Sequence, residues 1–215
     1  MIRLKEVLEK TQGLKFKDVL HIGAHDCQEY EEYKENNCNR IVWVEAHPII
    51  YDRNFKRFRS YEDSFVLNCL VAEKSHEYHW LGIANNEQSS SILPLGTHKN
   101  LFPEVDYIQR VPMLSTKIDD ILDKYYLNNL DINFLNLDIQ GAELLALKGA
   151  SKILANNIDI VYTEINEEEV YEGCGLIGDI DEYLSMFGFE RLIKKNWREH
   201  PWGDAVYVKS EFVKS

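Results

Sequence analysis

Asp138 closes the otherwise apolar run Leu135-Asn136-Leu137-Asp138 and leads directly into Ile139-Gln140-Gly141-Ala142-Glu143. A carboxylate placed there can accept a proton or hold a metal ion, and Glu143, one helical turn later, is favoured by the helix dipole. A plainer role is the alternative, stronger for Glu143 than for Asp138, with Asp138 capping the helix and Glu143 answering its dipole. Glu45 ends Ile41-Val42-Trp43-Val44 in the same manner, and Glu164 lies near the end of Ile160-Val161-Tyr162-Thr163-Glu164-Ile165-Asn166. The two-residue period of a strand puts Glu164 and Asn166 on one face.

The turn Gly23-Ala24-His25-Asp26-Cys27-Gln28 follows the apolar run Val19-Leu20-His21-Ile22. A dinucleotide site needs three glycines so that the backbone can approach a pyrophosphate, with an acid about 20 residues later for the ribose. Only Gly23 is present, while Glu45 stands where that acid belongs. This combination suits a cofactor with a ribose and no pyrophosphate, such as S-adenosylmethionine; an ordinary strand-to-helix turn with Glu45 in solvent is the bland alternative. His25, His47 and His98 are candidates for proton transfer because histidine titrates near neutrality. His98 follows Ser89-Ser90-Ser91 in an irregular stretch, where substrate contacts collect. Trp43, Trp80, Trp197 and Trp202 are expected to fill the core or its edge.

The elements that must position these residues alternate. A helix near residues 3–12 precedes strands at 18–24 and 40–45, with helices at 27–37 and 48–59. Strands at 64–72 and 76–83 precede a helix at 118–128, a strand at 132–138, a helix at 141–156 and a strand at 158–165. A helix at 178–187 and strands at 189–195 and 204–209 complete the chain. Such repetition implies an α/β fold with a parallel sheet covered on both faces. The segment from Gly82 to Leu114 shows no regular period, and Pro94, Pro103 and Pro112 interrupt it. Long irregular segments in compact domains are usually functional or mobile, so residues 82–114 are expected to form a lid and acceptor wall. Gly188 and Pro201-Trp202-Gly203 predict an antiparallel hairpin from the last two strands.

The 215 residues suffice for one domain. Acidic residues outnumber basic ones 36 to 24, a net charge of −12 that disfavours a nucleic-acid partner. No run approaches the ~18 apolar residues of a membrane span, and MIRLKEVLEK reads as a charged helix and not as a signal peptide, so a cytoplasmic protein is expected. Cys27, Cys38, Cys69 and Cys174 have neither disulfide nor zinc spacing and are expected to be mostly buried thiols.

Taken together, Ile22-Gly23-Ala24-His25, Val44-Glu45-Ala46-His47-Pro48, Ser89-Ser90-Ser91-Ile92-Leu93, Asp138-Ile139-Gln140-Gly141-Ala142-Glu143-Leu144 and Tyr162-Thr163-Glu164-Ile165-Asn166 resemble the FkbM family of S-adenosylmethionine-dependent methyltransferases. The similarity runs from about Asp18 to Val208, and Asp138, Gly141, Ala142 and Glu143, followed by Leu147-Lys148-Gly149-Ala150, are its most specific part. It implies a Rossmann-like class I methyltransferase fold, with seven mostly parallel strands and a C-terminal antiparallel hairpin. It further implies S-adenosylmethionine held by His21, Gly23, Ala24, His25, Glu45, Ala46, Ala72 and Asp138. The acceptor implied is a hydroxyl of a sugar or glycan, a deoxysugar such as rhamnose among the candidates, met by Ser90, Ser91, His98, Asn166 and Asp204. Asp138 or His98 is assigned as general base. Glu164 and Asn166 orient the sugar or help to hold magnesium, for which Asp138 and Glu164 are the candidate ligands. Cys27 stands where many members have glycine, a departure expected to crowd the cofactor. The competing readings are a nicotinamide-dependent oxidoreductase, a cofactor-free sugar-binding module, and a catalytically weak methyltransferase-like interaction domain.

Overall fold

A computed structural model describes residues 2–214; Met1 and Ser215 lie outside the described residues. Helix α1 (Leu4–Lys10) precedes β1 (Asp18–Ile22), α2 (Tyr30–Glu35), β2 (Ile41–Glu45), α3 (Pro48–Phe58), β3 (Ser64–Asn68) and β4 (Leu70–Val71). Then come β5 (Tyr78–Ala84), α4 (His98–Leu101), β6 (Tyr107–Thr116), α5 (Ile118–Lys124), β7 (Ile132–Leu137), α6 (Glu143–Lys148) and α7 (Ser151–Asn156). The chain closes with β8 (Ile160–Asn166), α8 (Ile177–Ser185), β9 (Phe189–Asn196) and β10 (Trp202–Lys209).

Seven strands form one sheet in the order β3-β2-β1-β7-β8-β10-β9, in which β10 runs antiparallel to both of its neighbours. Every residue of β1, β2 and β7 is buried, the pattern of parallel strands covered on both faces. Alternate side chains serve two cores. Leu20, Val42, Leu135 and Val161 pack under α5, α6, α7 and α8, whereas Val19, Trp43, Phe134 and Ile160 pack with residues of α1, α2 and α3. At the edge remote from the strand exits, buried Asp18 accepts N–H bonds from Arg40 and from the Asp131 backbone, which clamps the start of β1 between its neighbours. The strand order reverses at β1 and β7, and the crevice beyond their carboxyl ends is where open α/β sheets bind ligands.

Three sequence expectations need correction. The segment from residue 82 to 114 is not irregular throughout. Strand β6 pairs antiparallel with β5 and parallel with β4 in a second, three-stranded sheet. Its alternation is obscured because Ile108 and Leu114 point to solvent, and Pro112 sits in the strand opposite Trp80. The strand expected over 64–72 divides at Cys69 into β3 and β4, which join different sheets. The helix expected over 141–156 divides at Gly149, where a Cβ would lie 2.7 Å from the Ala72 carbonyl oxygen.

Candidate active site

A cavity of about 510 Å³ opens at the carboxyl edge of the large sheet, between the exits of β1, β2, β7 and β8 and the residues that follow β5. Gly23 makes its floor possible. At φ +87° its missing Cβ would sit 1.7 Å from the Asp138 carbonyl oxygen, so the chain leaving β1 can pass β7 only with glycine there. Its N–H and that of Ala24 donate to the Val44 carbonyl at 2.9 and 3.1 Å.

Glu45 ties two turns together. Its Oε2 accepts the His25 N–H at 2.8 Å and its Oε1 accepts the His47 N–H at 2.7 Å. Each carboxylate oxygen has a second lone pair, and Glu45 lines the cavity. Burial outweighs the two backbone bonds and raises its pKa to about 7. His47 caps α3, with Pro48 following at the first helical position.

The acids gather at the other end. Asp138 is open to the cavity although protein surrounds it, and this desolvation raises its pKa to about 6. Glu164 is pushed further up, first by burial and then by the charge of Asp138. Asp204 on β10 stands in register with Glu164 on β8 and lines the same cavity. Between the carboxylates lies Gln140, whose Nε2 donates to Asp138 Oδ1 at 2.8 Å and to Glu164 Oε2 at 3.2 Å. The Tyr171 hydroxyl donates to Gln140 Oε1 at 2.7 Å and fixes which way the amide faces. Gln140 holds a left-handed backbone, φ +57°, and its carbonyl accepts the Ser91 hydroxyl at 2.7 Å.

Glu143 takes the plainer of its two roles. It is buried, and its Oε1 accepts the N–H groups of Ile139 and Gly141, stapling the turn after β7. Asp138 does not cap the helix, since α6 starts after Ala142 with no side-chain cap. Ligand oxygens of Asp138, Glu143 and Glu164 lie within 4.8 Å of one another, the spacing of a cation site. Each of these carboxylates already accepts protein N–H groups, from Gln140 or from the backbone.

Of the residues expected at the site, Gly23, His25, Glu45, Ala46, Ser90, Ser91, Asp138, Glu164 and Asp204 line the cavity. Five others do not. His21 faces the opposite core, where its Nδ1 meets the Tyr33 hydroxyl at 2.9 Å and burial lowers its pKa to about 3. Ala24 packs into that core as well, and Ala72 lies in the small core beside β5. Asn166 is buried at the end of β8, beyond the cavity wall. His98 is buried against Phe102 and Tyr171 with Nε2 3.2 Å from the Ser89 hydroxyl, and burial lowers its pKa.

Cys27 also turns inward. It has φ +51° and no exposed surface, and its thiol packs in the core with Tyr33 and Trp43, not in the cavity. Glycine suits that position for its backbone angle; the expected crowding of the cofactor finds no contact to support it. The site also has residues that the sequence did not single out. Gln140 and Gln28 lie among the acids, and Trp197 and Trp202 form one wall, with His200 stacked against both rings. Gln140 and Gln28 lie within motifs already noted, and Trp197 and Trp202 were expected to fill the core or its edge.

The model of the methyltransferase FkbM domain matches residues 20–191, and the chain belongs to that family. A solved FkbM methyltransferase from Methylobacillus flagellatus KT superposes with a TM-score of 0.57 at 15% identity. That match covers 91% of this chain, which spans 45% of the other. An NADB-Rossmann superfamily protein from Streptococcus agalactiae matches at 0.51 and 10% identity, over 100% of this chain and 71% of that one. An S-adenosylmethionine-dependent methyltransferase from Clostridium acetobutylicum ATCC 824 matches at 0.50 and 11% identity, over 96% and 88%. These likenesses establish a Rossmann-like α/β fold. No curated protein matches the sequence. Among the described residues no helix is long and apolar enough to cross a membrane.

Proposed function

We propose that the protein is an S-adenosylmethionine-dependent O-methyltransferase acting on a hydroxyl of a sugar or glycan. The observation that carries this reading is the single cavity that joins Gly23 and Glu45 at one end to Asp138, Glu164 and Asp204 at the other, in a member of a methyltransferase family. Its volume falls within the range of small-molecule sites. Glu45 keeps acceptor capacity for ribose hydroxyls, Gly23 gives backbone access, and Ile22, Val44, Leu70, Val71 and Leu81 supply an apolar wall. A ribose-bearing cofactor without a pyrophosphate fits these residues.

S-adenosylmethionine supplies a methyl group on a sulfonium, which becomes a neutral thioether when an oxygen displaces it. The chain has then to align that oxygen and remove its proton. Asp138 is the general base: it reaches the cavity, and its raised pKa keeps it close to the neutral range where a base is effective. Gln140 holds Asp138 in place and leaves its other oxygen for the acceptor. Burial and the neighbouring charge of Asp138 favour the protonated form of Glu164, and its carboxyl group hydrogen-bonds a neighbouring sugar hydroxyl. Trp197, Trp202 and residues 86–92 line the cavity, and the indole rings give a pyranose ring an apolar surface.

The test is calorimetry with S-adenosylmethionine, S-adenosylhomocysteine and NAD, followed by mass spectrometry of sugar acceptors after incubation with S-adenosylmethionine. Binding of the two adenosyl compounds without NAD, with one methyl added to a sugar, is expected. Binding of NAD alone would return the protein to the oxidoreductases. Adenosyl binding without transfer to any acceptor would favour a catalytically weak, methyltransferase-like binding domain.

A further inference from the structure

The small sheet has two unlike faces. Leu81 and Ile83 of β5 and Val111 and Met113 of β6 turn inward and pack with Leu70 and Ala72 in the small core. Strand alternation sends the residues between them outward. The register sets Tyr78 opposite Leu114, Trp80 opposite Pro112 and Gly82 opposite Arg110, so two apolar cross-strand pairs stand side by side on the outer face. Tyr78 is 80% exposed, Trp80 60% and Leu114 48%, and Pro112 is exposed too. The strip ends at Gly82, where the ring of Tyr107 fills the space a side chain would take.

Its area fits one particular use. A large aromatic side chain has about 150–250 Å² to bury, so these exposures leave roughly 400 Å² of apolar surface in one strip. Scattered apolar residues need no partner, whereas a contiguous patch of this size marks an interaction surface. A standard interface takes about 800 Å² from each partner, and between identical subunits about 65% of it is apolar, so roughly 500 Å² is required. Ile108, 70% exposed beyond Arg110 on β6, brings the strip close to that figure.

Charge narrows the choice of partner. Although the chain carries a net charge of −12, the outward residues of β5 and β6 include no acid, and Arg110 stands among them. A basic partner, which the overall charge would attract, meets that arginine. At the opposite end Glu77, just before β5, lies 3.6 Å from Lys74. A two-fold axis along the Trp80–Pro112 pair lays the Arg110 end of each copy over the Tyr78–Leu114 end of the other. Arg110 is then offered an aromatic ring and Glu77, and neither end of the strip meets its like.

We propose that the outer face of β5 and β6 packs against the same face of a second copy of this chain, forming a two-fold dimer by sheet-on-sheet contact. The proposal goes beyond the methyltransferase reading and does not depend on it. Leu81, between Trp80 and Gly82, lines the cavity, so the dimer braces the strand from which segment 86–92 departs.

Sedimentation equilibrium of the full chain from about 1 to 100 µM tests this, since interfaces of standard size bind at micromolar concentration or tighter. The mass should rise from 25.2 kDa toward twice that value. Tyr78→Ser combined with Trp80→Ser should raise the dimer dissociation constant at least about tenfold, as loss of a central aromatic anchor does. Met186→Ser, at a comparably exposed apolar residue outside the face, should leave it unchanged. Cross-linking gives a second measurement that does not rely on the double variant. Packed sheets lie about 10 Å apart, and the native thiols are all buried, so a bismaleimide of that span should join Pro112→Cys chains in pairs and leave Met186→Cys chains single. A parental chain that stays monomeric at the highest concentration overturns the proposal. A dimer that survives the double substitution with native circular dichroism also overturns it, as does Met186→Cys joining as fast as Pro112→Cys.

Discussion

The Nε2 of Gln140 lies 2.8 Å from Oδ1 of Asp138 and 3.2 Å from Oε2 of Glu164, donating to both. One amide thus joins two acids of the cavity wall, and Tyr171 prevents it from flipping. Removing it in Gln140→Ala takes a donor from the ionised form of Asp138, so the pKa of that acid rises. A hydrogen bond to a charged group is worth about 1.5–3 kcal/mol, and kcat should fall by about 10- to 100-fold. The acidic limb of the pH–rate profile should move to higher pH while cofactor affinity holds. Loss of affinity with an unmoved profile would mean that Gln140 shapes the cofactor end instead.

Cofactor binding should depend on pH through Glu45. Burial raises the folded-state pKa to about 7, and the ionised carboxylate is the form that accepts ribose hydroxyls. Lowering the pH through that value protonates the group and weakens binding; raising it strengthens binding. For a single group the dissociation constant should change about tenfold between one pH unit below and one above. Glu45→Gln should bind more weakly at high pH and lose this slope. Calorimetry across that range checks both points, and a flat parental profile would remove Glu45 from the ribose contact.

Asp138 and His98, joint candidates for the base on sequence grounds, should separate on mutation. Asp138→Asn preserves shape and the bond from Gln140 while removing the proton acceptor, so turnover should drop about 10²- to 10⁴-fold with little change in melting temperature. His98 is buried against Phe102 and Tyr171 and is no part of the cavity wall. His98→Ala should cost about 1–3 kcal/mol of stability, as core truncations do, and reduce turnover far less. Thermal denaturation beside steady-state rates distinguishes them, and a stable His98→Ala protein without activity would restore histidine as the base.

Segment 86–92 is expected to respond to the cofactor. Ser91 binds the Gln140 carbonyl, and backbone bonds between Gly82 and Ser91 tether the base of the loop to β5. Hydrogen exchange in this segment should slow when S-adenosylhomocysteine binds, while β6 on the far side of β5 stays unchanged. Equal exchange with and without ligand would make these residues a fixed wall.

What was legible in the sequence follows from the range of the forces involved. Strands β1, β2, β7 and β8 declare themselves as apolar runs, and Glu45, Asp138 and Glu164 stand out as acids at or near the ends of such runs, a local pattern. His21 also sits in such a run, but the strand's two-residue alternation directs it to Tyr33 and Trp43 on the opposite face from Ile22. Which face carries the cavity depends on how α2 and α3 pack, and that is not local. Trp197 and Trp202 escaped for a related reason: an aromatic pair in a hairpin reads as an edge until the antiparallel register of β10 with β8 sets Trp202 opposite Asn166, two residues along β8 from Glu164. Strand β6 was missed because its exposed residues include Ile108, Leu114 and Pro112, which hide the alternation.

Cys27 provides the sharpest test of reading a family departure through geometry. Its backbone is left-handed, φ +51°, which a non-glycine residue adopts at a cost of about 1–3 kcal/mol. Its buried thiol fills the core beside Tyr33 and Trp43, and removing it leaves a void. Cys27→Gly therefore exchanges relief of backbone strain against lost packing, and the change in stability should stay within about 2 kcal/mol in either direction. Because the thiol does not line the cavity, the dissociation constant for S-adenosylmethionine should remain within about twofold of the parent, less than the cost of a typical lost hydrogen bond. Denaturant melts and calorimetry on the same protein measure the two quantities separately. Tenfold tighter binding by the glycine variant, at unchanged stability, would show that the thiol crowds the cofactor after all and that the turn rearranges when ligand binds.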